Sequence, residues 1–194
     1  ERATNRQITK FPARIPAEGP LTLQIEVLLD RANYSPGIID GAWGRNAAKA
    51  MAFFTSPDDN ARLNGETPAP VTTIDKATYE RLLRAAGPGI ILTRYTVEDH
   101  DVAGPFADIP ALVYDQAKLK CLCYASAIEA ISEKFHTSPV LLSRLNPGVK
   151  MSSLKAGTRL LVPNIRDPFA ASPTDTAIIA RVIISKSGFW LHAV

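Results

Sequence analysis

Two cysteines, three histidines and a scatter of carboxylates are the groups with which this 194-residue chain could do covalent or acid–base chemistry. Cys121 and Cys123 form a C-x-C, His100 stands between Asp99 and Asp101, and His136 ends a helical stretch. A thiol nucleophile needs a base and an orienting group converging in one cleft, and no motif here supplies that set. Fully extended, the two cysteine Cα atoms would stand ~6.5 Å apart, near the upper limit for bridging. The expectation is therefore two small buried apolar side chains, not a mutual disulfide. Neighbouring side chains splay apart, so Asp99-His100-Asp101 reads as a solvated loop; Cys121, Cys123 and His136 lack the C-x-x-C knuckle of a tetrahedral metal set. No metal and no cofactor are expected. His136 reads as a helix-end cap, where the dipole favours a protonated ring. Glu129 invites a role in glycoside hydrolysis, which needs paired carboxylates. Yet Ser126-Ala-Ile-Glu129 has capping-box spacing, which accounts for it without catalysis. Gly87-Pro-Gly89 lacks the lysine and the spacing of a phosphate loop. The residues assemble no active site.

Composition narrows the partners. Lys and Arg number 22 against 19 Asp and Glu, a net charge of +3, too mild for a nucleic-acid reader with its basic stripe but compatible with weak attraction to an anionic polymer. The 46% hydrophobic and 21% charged content belongs to a folded chain rather than a disordered one. Apolar stretches such as 89–93 and 176–180 fall far short of the ~20 residues of a membrane span. No basic-then-apolar segment opens the sequence, so the expectation is a chain that is either not exported or already mature at Glu1. Its cysteines leave the compartment open. Fifteen prolines and 11 glycines punctuate small modules rather than one large one.

The elements that must position these groups follow from periodicity and caps. Residues 1–19 show no period and read as an arm. Pro20 suits the first position of a helix, and Leu21, Ile25, Leu28, Leu29 and Ala32 share one face of it, with a stop at Asn33 to Gly37. A second helix fits 46–55 through Ala47, Ala50, Met51 and Phe54, followed by a long loop over 56–70. A third opens after Asp75 as N-cap, carries Tyr79, Leu82, Leu83 and Ala86, and closes at Gly87-Pro88. Residues 90–97 then read as a strand, 98–123 as an insertion, and 158–163 as a returning strand with Pro163 at its edge. Between them lie two helices. The first starts at Ser126, with Ile128, Ile131 and Phe135 inward; the second opens at Ser138-Pro139, with Leu141, Leu142 and Leu145 inward. Asn146-Pro147-Gly148 turns the chain back. A Pro-, Ser- and Asp-rich linker covers 164–176, and 178–184 and 189–194 read as a hairpin around Ser185 to Gly188. A hairpin alone is unstable in water, so it must pack on something. The fold class is α+β.

Two segments resemble known families. Gly37-Ile-Ile-Asp40-Gly41-Ala-Trp43-Gly44, with Ala50 and Phe54 beyond it, resembles the three-helix peptidoglycan-binding domain of cell-wall hydrolases and transpeptidases, over about 20–86. Ala47 and Thr55 replace the family's Thr and Gln. On physical grounds Gly37, Gly41 and Gly44 supply tight or left-handed backbone. Asp40 can accept hydrogen bonds from loop amides, and Trp43 can plug the gap between helices. These residues then hold a loop rather than touch a ligand.

Tyr95-Thr96-Val97, the run 126–135, Leu141-Leu-Ser-Arg-Leu-Asn-Pro147 and Ala156-Gly-Thr-Arg-Leu-Leu-Val-Pro163 resemble a LysM domain. That family is a β-α-α-β module binding N-acetylglucosamine polymers, peptidoglycan and chitin included. Its usual G-D-T-L after the first strand is displaced here, with Tyr124-Ala-Ser-Ala127 in its place. The resemblance implies a sugar groove at Tyr124, Ala125, Ser126, Asn146, Pro147, Gly148 and Val149. Asn146 has a second reading, since Asn-Pro favours turn initiation.

The order of these segments, followed by Ala180-Arg-Val-Ile-Ile-Ser-Lys-Ser187, resembles the front of a cell-wall L,D-transpeptidase, whose cysteine motif S-H-G-C is absent here. The resemblance implies an arm over 1–19 and a three-helix peptidoglycan-binding module over 20–88. It implies a LysM-like module over 89–165, and a linker with the first strands of a truncated catalytic domain over 166–194. The expected protein is exported, periplasmic or wall-associated. It binds peptidoglycan and positions a downstream catalytic domain, with no nucleic acid and no membrane span. The alternative is a structural role in which the modules shape the catalytic cleft or contact protein partners without binding glycan.

Overall fold

The computed structural model describes residues 1–56, 71–166, 182–188 and 190–193. The described residues are mixed α and β, with eight α-helices and three two-stranded antiparallel sheets. Residues 57–70 of the expected loop over 56–70, residues 167–176 of the expected linker over 164–176 and the first half of the strand at 178–184 lie outside them. Among the described residues no helix is long and apolar enough to cross a membrane.

Two short elements precede the first long helix: α1 (Arg2–Asn5) and β1 (Ala13–Arg14). Helix α2 (Pro20–Arg31) follows, with Pro20 at its first position and Gly19 at φ 126° before it. It is not amphipathic in the expected way. Leu23, Ile25, Val27, Leu28 and Leu29 are buried, and so are Thr22, Gln24, Glu26 and Arg31. For Thr22 and Gln24 the cause lies in residues 1–19, which pack as part of the fold rather than as an arm: Thr22 Oγ1 donates to the Pro16 carbonyl at 2.7 Å. Gln24 Nε2 donates to the carbonyls of Thr4 and Arg6, each at 3.1 Å. Ile15 is 4% exposed in the main core, and β1 pairs with β2 (Thr73–Ile74). These bonds run between backbone and side chains, so apolar periodicity carries no trace of them.

Helix α3 (Arg45–Thr55) and helix α4 (Lys76–Ala86) complete this half. The Asp75 side chain accepts the Thr78 amide hydrogen at 2.7 Å, and Gly87 leaves α4 at φ 72°. Arg31 fixes the exit. Its Nε donates to the Ala86 carbonyl at 3.1 Å and its Nη2 to Gly87 at 2.8 Å, with further bonds to Pro88 and Ile90.

Strand β3 (Leu92–Thr96) pairs antiparallel with β4 (Arg159–Pro163), from Leu92 opposite Pro163 to Thr96 opposite Arg159. Two short helices, α5 (Asp99–Val102) and α6 (Val113–Gln116), lie in the insertion. Helix α7 (Ala127–Lys134) and helix α8 (Pro139–Leu145) follow, each opened by a serine whose hydroxyl accepts an amide: Ser126 from Glu129 at 3.3 Å, Ser138 from Leu141 at 3.0 Å. Val97, Ile131, Leu142, Leu160 and Val162 make a small core here. The larger core does not stop at the end of α4. It takes Leu141 from α8, Ile91 and Leu92 from the entry to β3 and Leu161 from β4, together with the residues of α2 to α4.

Strands β5 (Val182–Ser185) and β6 (Trp190–Ala193) form the C-terminal hairpin. It rests on α3, with the Trp190 ring 5.2 Å from that of Phe53 and Lys49 donating to the Gly188 carbonyl.

The structure overturns the expectation for the cysteines. Cys121 and Cys123 form a disulfide, with their Cα atoms 5.3 Å apart. The segment is contracted rather than extended, which brings the pair within bridging range. Cys121 is exposed and Cys123 half-buried, so neither is a core side chain.

Candidate functional site

The glycine-rich loop after α2 bonds within the chain at almost every polar group. Asp40 Oδ1 accepts the Ala42 amide at 2.8 Å, closing an Asx turn, and Trp43 Nε1 donates to the Val71 carbonyl at 3.2 Å. Gly37 and Gly41 sit at φ 83° and 77°, where a Cβ would be strained. Gly44 does not: it lies at φ −86° as the residue capping α3, a conformation open to any residue. Beneath the loop, Glu26 Oε2 accepts the Gly41 amide hydrogen at 2.8 Å. Glu26 is not among the residues that motif and spacing single out. The available signal was a carboxylate with Ile25, Val27, Leu28 and Leu29 around it, which leaves it no solvent-facing register.

The same loop is stitched to the α7–α8 junction. The Ile39 amide donates to the His136 carbonyl at 2.8 Å, and Thr137 Oγ1 and the Ser138 amide donate to the Ile39 carbonyl at 2.7 and 3.3 Å. Arg144 Nη2 donates to the Asp40 carbonyl at 3.0 Å, and His136 Nδ1 lies 2.8 Å from Asp30 Oδ2. His136 sits at φ 50°, just past α7, and its ring reaches α2. Beside this seam is a hollow of about 310 Å³, lined by Gly37, Ile38, Glu129, Glu133, His136 and Thr137.

The seven expected groove residues do not share one surface role. The Asn146 side chain is buried and fully used: Nδ2 donates to the Leu142 and Leu161 carbonyls, each at 2.9 Å, and Oδ1 accepts the Leu161 amide at 2.7 Å. It therefore holds β4 against the end of α8. Val149 packs on the smaller core, while Pro147 and Gly148 are exposed. On the other side, the Ser126 hydroxyl accepts the Glu129 amide as expected, but Glu129 Oε2 accepts the Ala125 amide at 2.6 Å, one residue before the cap, rather than the Ser126 amide of a reciprocal capping box. The Tyr124 ring is 40% exposed, and its carbonyl accepts the Ala107 amide at 3.0 Å.

Tyr124 also lines the roomier cleft, about 440 Å³, between the insertion and α7. Phe106 stands in the same lining, 38% exposed, with Cys123, His100, Asp101 and Lys134. A charged network forms the floor. Lys134 Nζ donates to Tyr95 Oη at 2.6 Å and to Asp101 Oδ1 at 3.0 Å, and lies 4.6 Å above the Tyr95 ring centre. The Tyr95 hydroxyl donates to Asp101 Oδ2, which also accepts the Glu98 amide at 2.8 Å. His100 Nε2 lies 3.3 Å from Asp101 Oδ1. Burial alone would push the Asp101 carboxyl up; hydrogen bonds from Tyr95, the Glu98 amide and Lys134 outweigh it and hold the group below its usual range. Burial likewise opposes the Lys134 charge, but bonds to Tyr95 and Asp101 raise its pKa. The Tyr95 hydroxyl is raised by burial and by its bond to Asp101. Asp101 and Lys134 are thus committed to the charged pair and poorly suited to proton transfer at neutral pH. What the cleft offers is two partly exposed aromatic rings beside a fixed polar floor.

Sequence reading examined His100 as a metal ligand and did not single out Tyr95, Asp101, Phe106 or Lys134 as a group. No spacing rule joins a strand residue, an insertion residue and a helix-end lysine. Among the described residues no group of three His, Cys, Asp or Glu is arranged to hold a metal ion. No protein-family model matches this chain, and no curated protein matches it.

Proposed function

We propose that this chain binds an N-acetylglucosamine polymer, peptidoglycan above all, and positions a downstream L,D-transpeptidase domain on the cell wall. The reading treats residues 20–88 as a three-helix peptidoglycan-binding module and 89–165 as a LysM-like module, in an exported, wall-associated protein. The observation that carries it is the cleft between the insertion and α7, with Phe106 and Tyr124 partly exposed over a polar floor. Sugar rings and N-acetyl methyls pack on such apolar faces while nearby polar groups fix their orientation. The order β3, α7, α8, β4 and the antiparallel β3–β4 pair are compatible with the LysM-like assignment. The test is retention of the purified chain on insoluble peptidoglycan at low salt. Retention that falls on substitution of Tyr124 supports the reading; no retention at all ends it.

A second reading, structural domains that shape a neighbouring catalytic cleft or bind a protein without glycan affinity, has its own observation. Asn146 and the Asp40 loop spend their polar groups inside the chain. Titration with chito-oligosaccharide separates the two by NMR: amide shifts around Tyr124 and Ser126 favour binding, and their absence at millimolar ligand favours the second reading.

A further inference from the structure

The Cys121–Cys123 disulfide contributes little that the fold needs. A bridge stabilises mainly by closing a loop in the unfolded chain, and this one closes the short loop of a C-x-C. It lies in the insertion, with Cys121 exposed and Cys123 half-buried on the wall of the 440 Å³ cleft. Exposed disulfides of this kind are the reducible ones, whereas structural bridges are shielded. Both features point away from a staple and towards chemistry at the sulfurs.

We propose that Cys121–Cys123 is a thiol–disulfide exchange site whose redox state sets the shape of the cleft. Its reaction partner is a small thiol of the glutathione class. The direction of attack follows from the two environments. A thiolate reaches the exposed Cys121 Sγ; the Sγ–Sγ bond breaks as the new bond to Cys121 forms, and Cys123 leaves as a thiolate. The departing sulfur lies on the half-buried wall of the cleft. A second thiolate then attacks the mixed disulfide, releasing Cys121. Two thiols are oxidised to one disulfide, and the two cysteines are reduced to thiols. Exposed Lys120, just before the pair, favours the approach of an anionic thiol.

The link to the cleft is covalent and short. Tyr124 follows Cys123 directly; its carbonyl holds the Ala107 amide, and the next amide, Ala125, holds the Glu129 carboxylate. The bridge keeps the cysteine Cα atoms at 5.3 Å, against ~6.5 Å for extended backbone. Reduction removes that cross-link, and a change in the segment's path reaches the Tyr124 ring and the Ala107–Tyr124 bond first.

The test needs no glycan, so its outcome is independent of the binding proposal. The purified chain is equilibrated in glutathione buffers of stepped ratio, quenched by alkylation and weighed by mass spectrometry, while amide exchange is followed at Ala107 and Ala125. The expected result is interconversion within the glutathione range and several-fold faster exchange at both amides in the reduced chain. After brief exposure to reduced glutathione, peptide mapping is expected to find the mixed disulfide on Cys121. A pair that stays oxidised in millimolar reduced glutathione, or thiols that never pair under oxidised glutathione, overturns the exchange site. Unchanged exchange at Ala107 overturns the link to the cleft, and a mixed disulfide on Cys123 overturns the direction of attack. The Cys121→Ser/Cys123→Ser double variant is expected to match the reduced chain; if it fails to fold, the reduced native chain supplies the same comparison.

Discussion

Glu26 lies beneath Gly41 and accepts its amide hydrogen at 2.8 Å, a carboxyl group in the middle of the most buried helix. Burial pushes its pKa from 4.5 to about 8; the Gly41 bond opposes this, the Asp40 charge adds to it, and the Asp40 amide opposes it again. The folded chain therefore holds a proton that the unfolded chain releases between pH 4.5 and about 8. Stability falls as pH rises through that window, by up to ~1.4 kcal/mol per unit.

Glu26→Gln keeps an acceptor for Gly41 and removes the ionisation. Its stability is expected to match the native chain near pH 5 and to exceed it by ~1–3 kcal/mol at pH 8.5. Urea denaturation at the two pH values measures this, and an equal difference at both would show that Glu26 does not titrate in the fold.

Asp101 carries the opposite sign. Its carboxyl is held below the ordinary 3.8, so it stabilises the fold above that value and ceases to do so as pH falls through its folded pKa. Asp101→Asn leaves Lys134 without its nearest counter-charge and is expected to cost ~1–3 kcal/mol at pH 7. The cost should shrink below pH 3.8; a penalty that persists undiminished in acid would trace to packing instead.

Asn146 acts on stability. Asn146→Ala strips partners from two buried carbonyls and one buried amide, with an expected loss of ~2–4 kcal/mol in thermal or urea unfolding. Asn146→Asp recovers little, since a carboxylate cannot donate to either carbonyl. A stable Asn146→Ala chain that merely lost peptidoglycan retention would return this residue to the glycan groove.

Tyr124 and Phe106 act on binding. Both rings are about two-fifths exposed, so Tyr124→Ala and Phe106→Ala should shift unfolding by under ~1 kcal/mol. Each is expected to reduce retention on peptidoglycan roughly tenfold, the loss of one aromatic platform. Equal retention by both variants would move the site elsewhere.

Local rules carried sequence reading far in the helices. Pro20, Asp75, Ser126 and Ser138 each open the expected helix, because caps and first-turn prolines act within four residues of their effect. The Asp40 turn was legible for the same reason. Contacts between distant segments were not. Gln24 binds carbonyls some twenty positions earlier, and Ile39 meets Thr137 across 98 positions. Tyr95, Asp101 and Lys134 come together only when β3, the insertion and α7 have packed. The expectation for the cysteines fails because the segment curls, where extended geometry would hold the pair apart. The hairpin's register is local, but its seat on Phe53 and Lys49 is not.

The guanidinium of Arg31 has a mechanical consequence. It gathers four carbonyls between Ala86 and Ile90, the only covalent crossing from α4 to β3. A crossing gripped at four points cannot act as a hinge, so relative movement of the helical and strand-bearing halves must first tear that fork apart. Whatever surfaces the two halves carry, this fork opposes a change in their spacing.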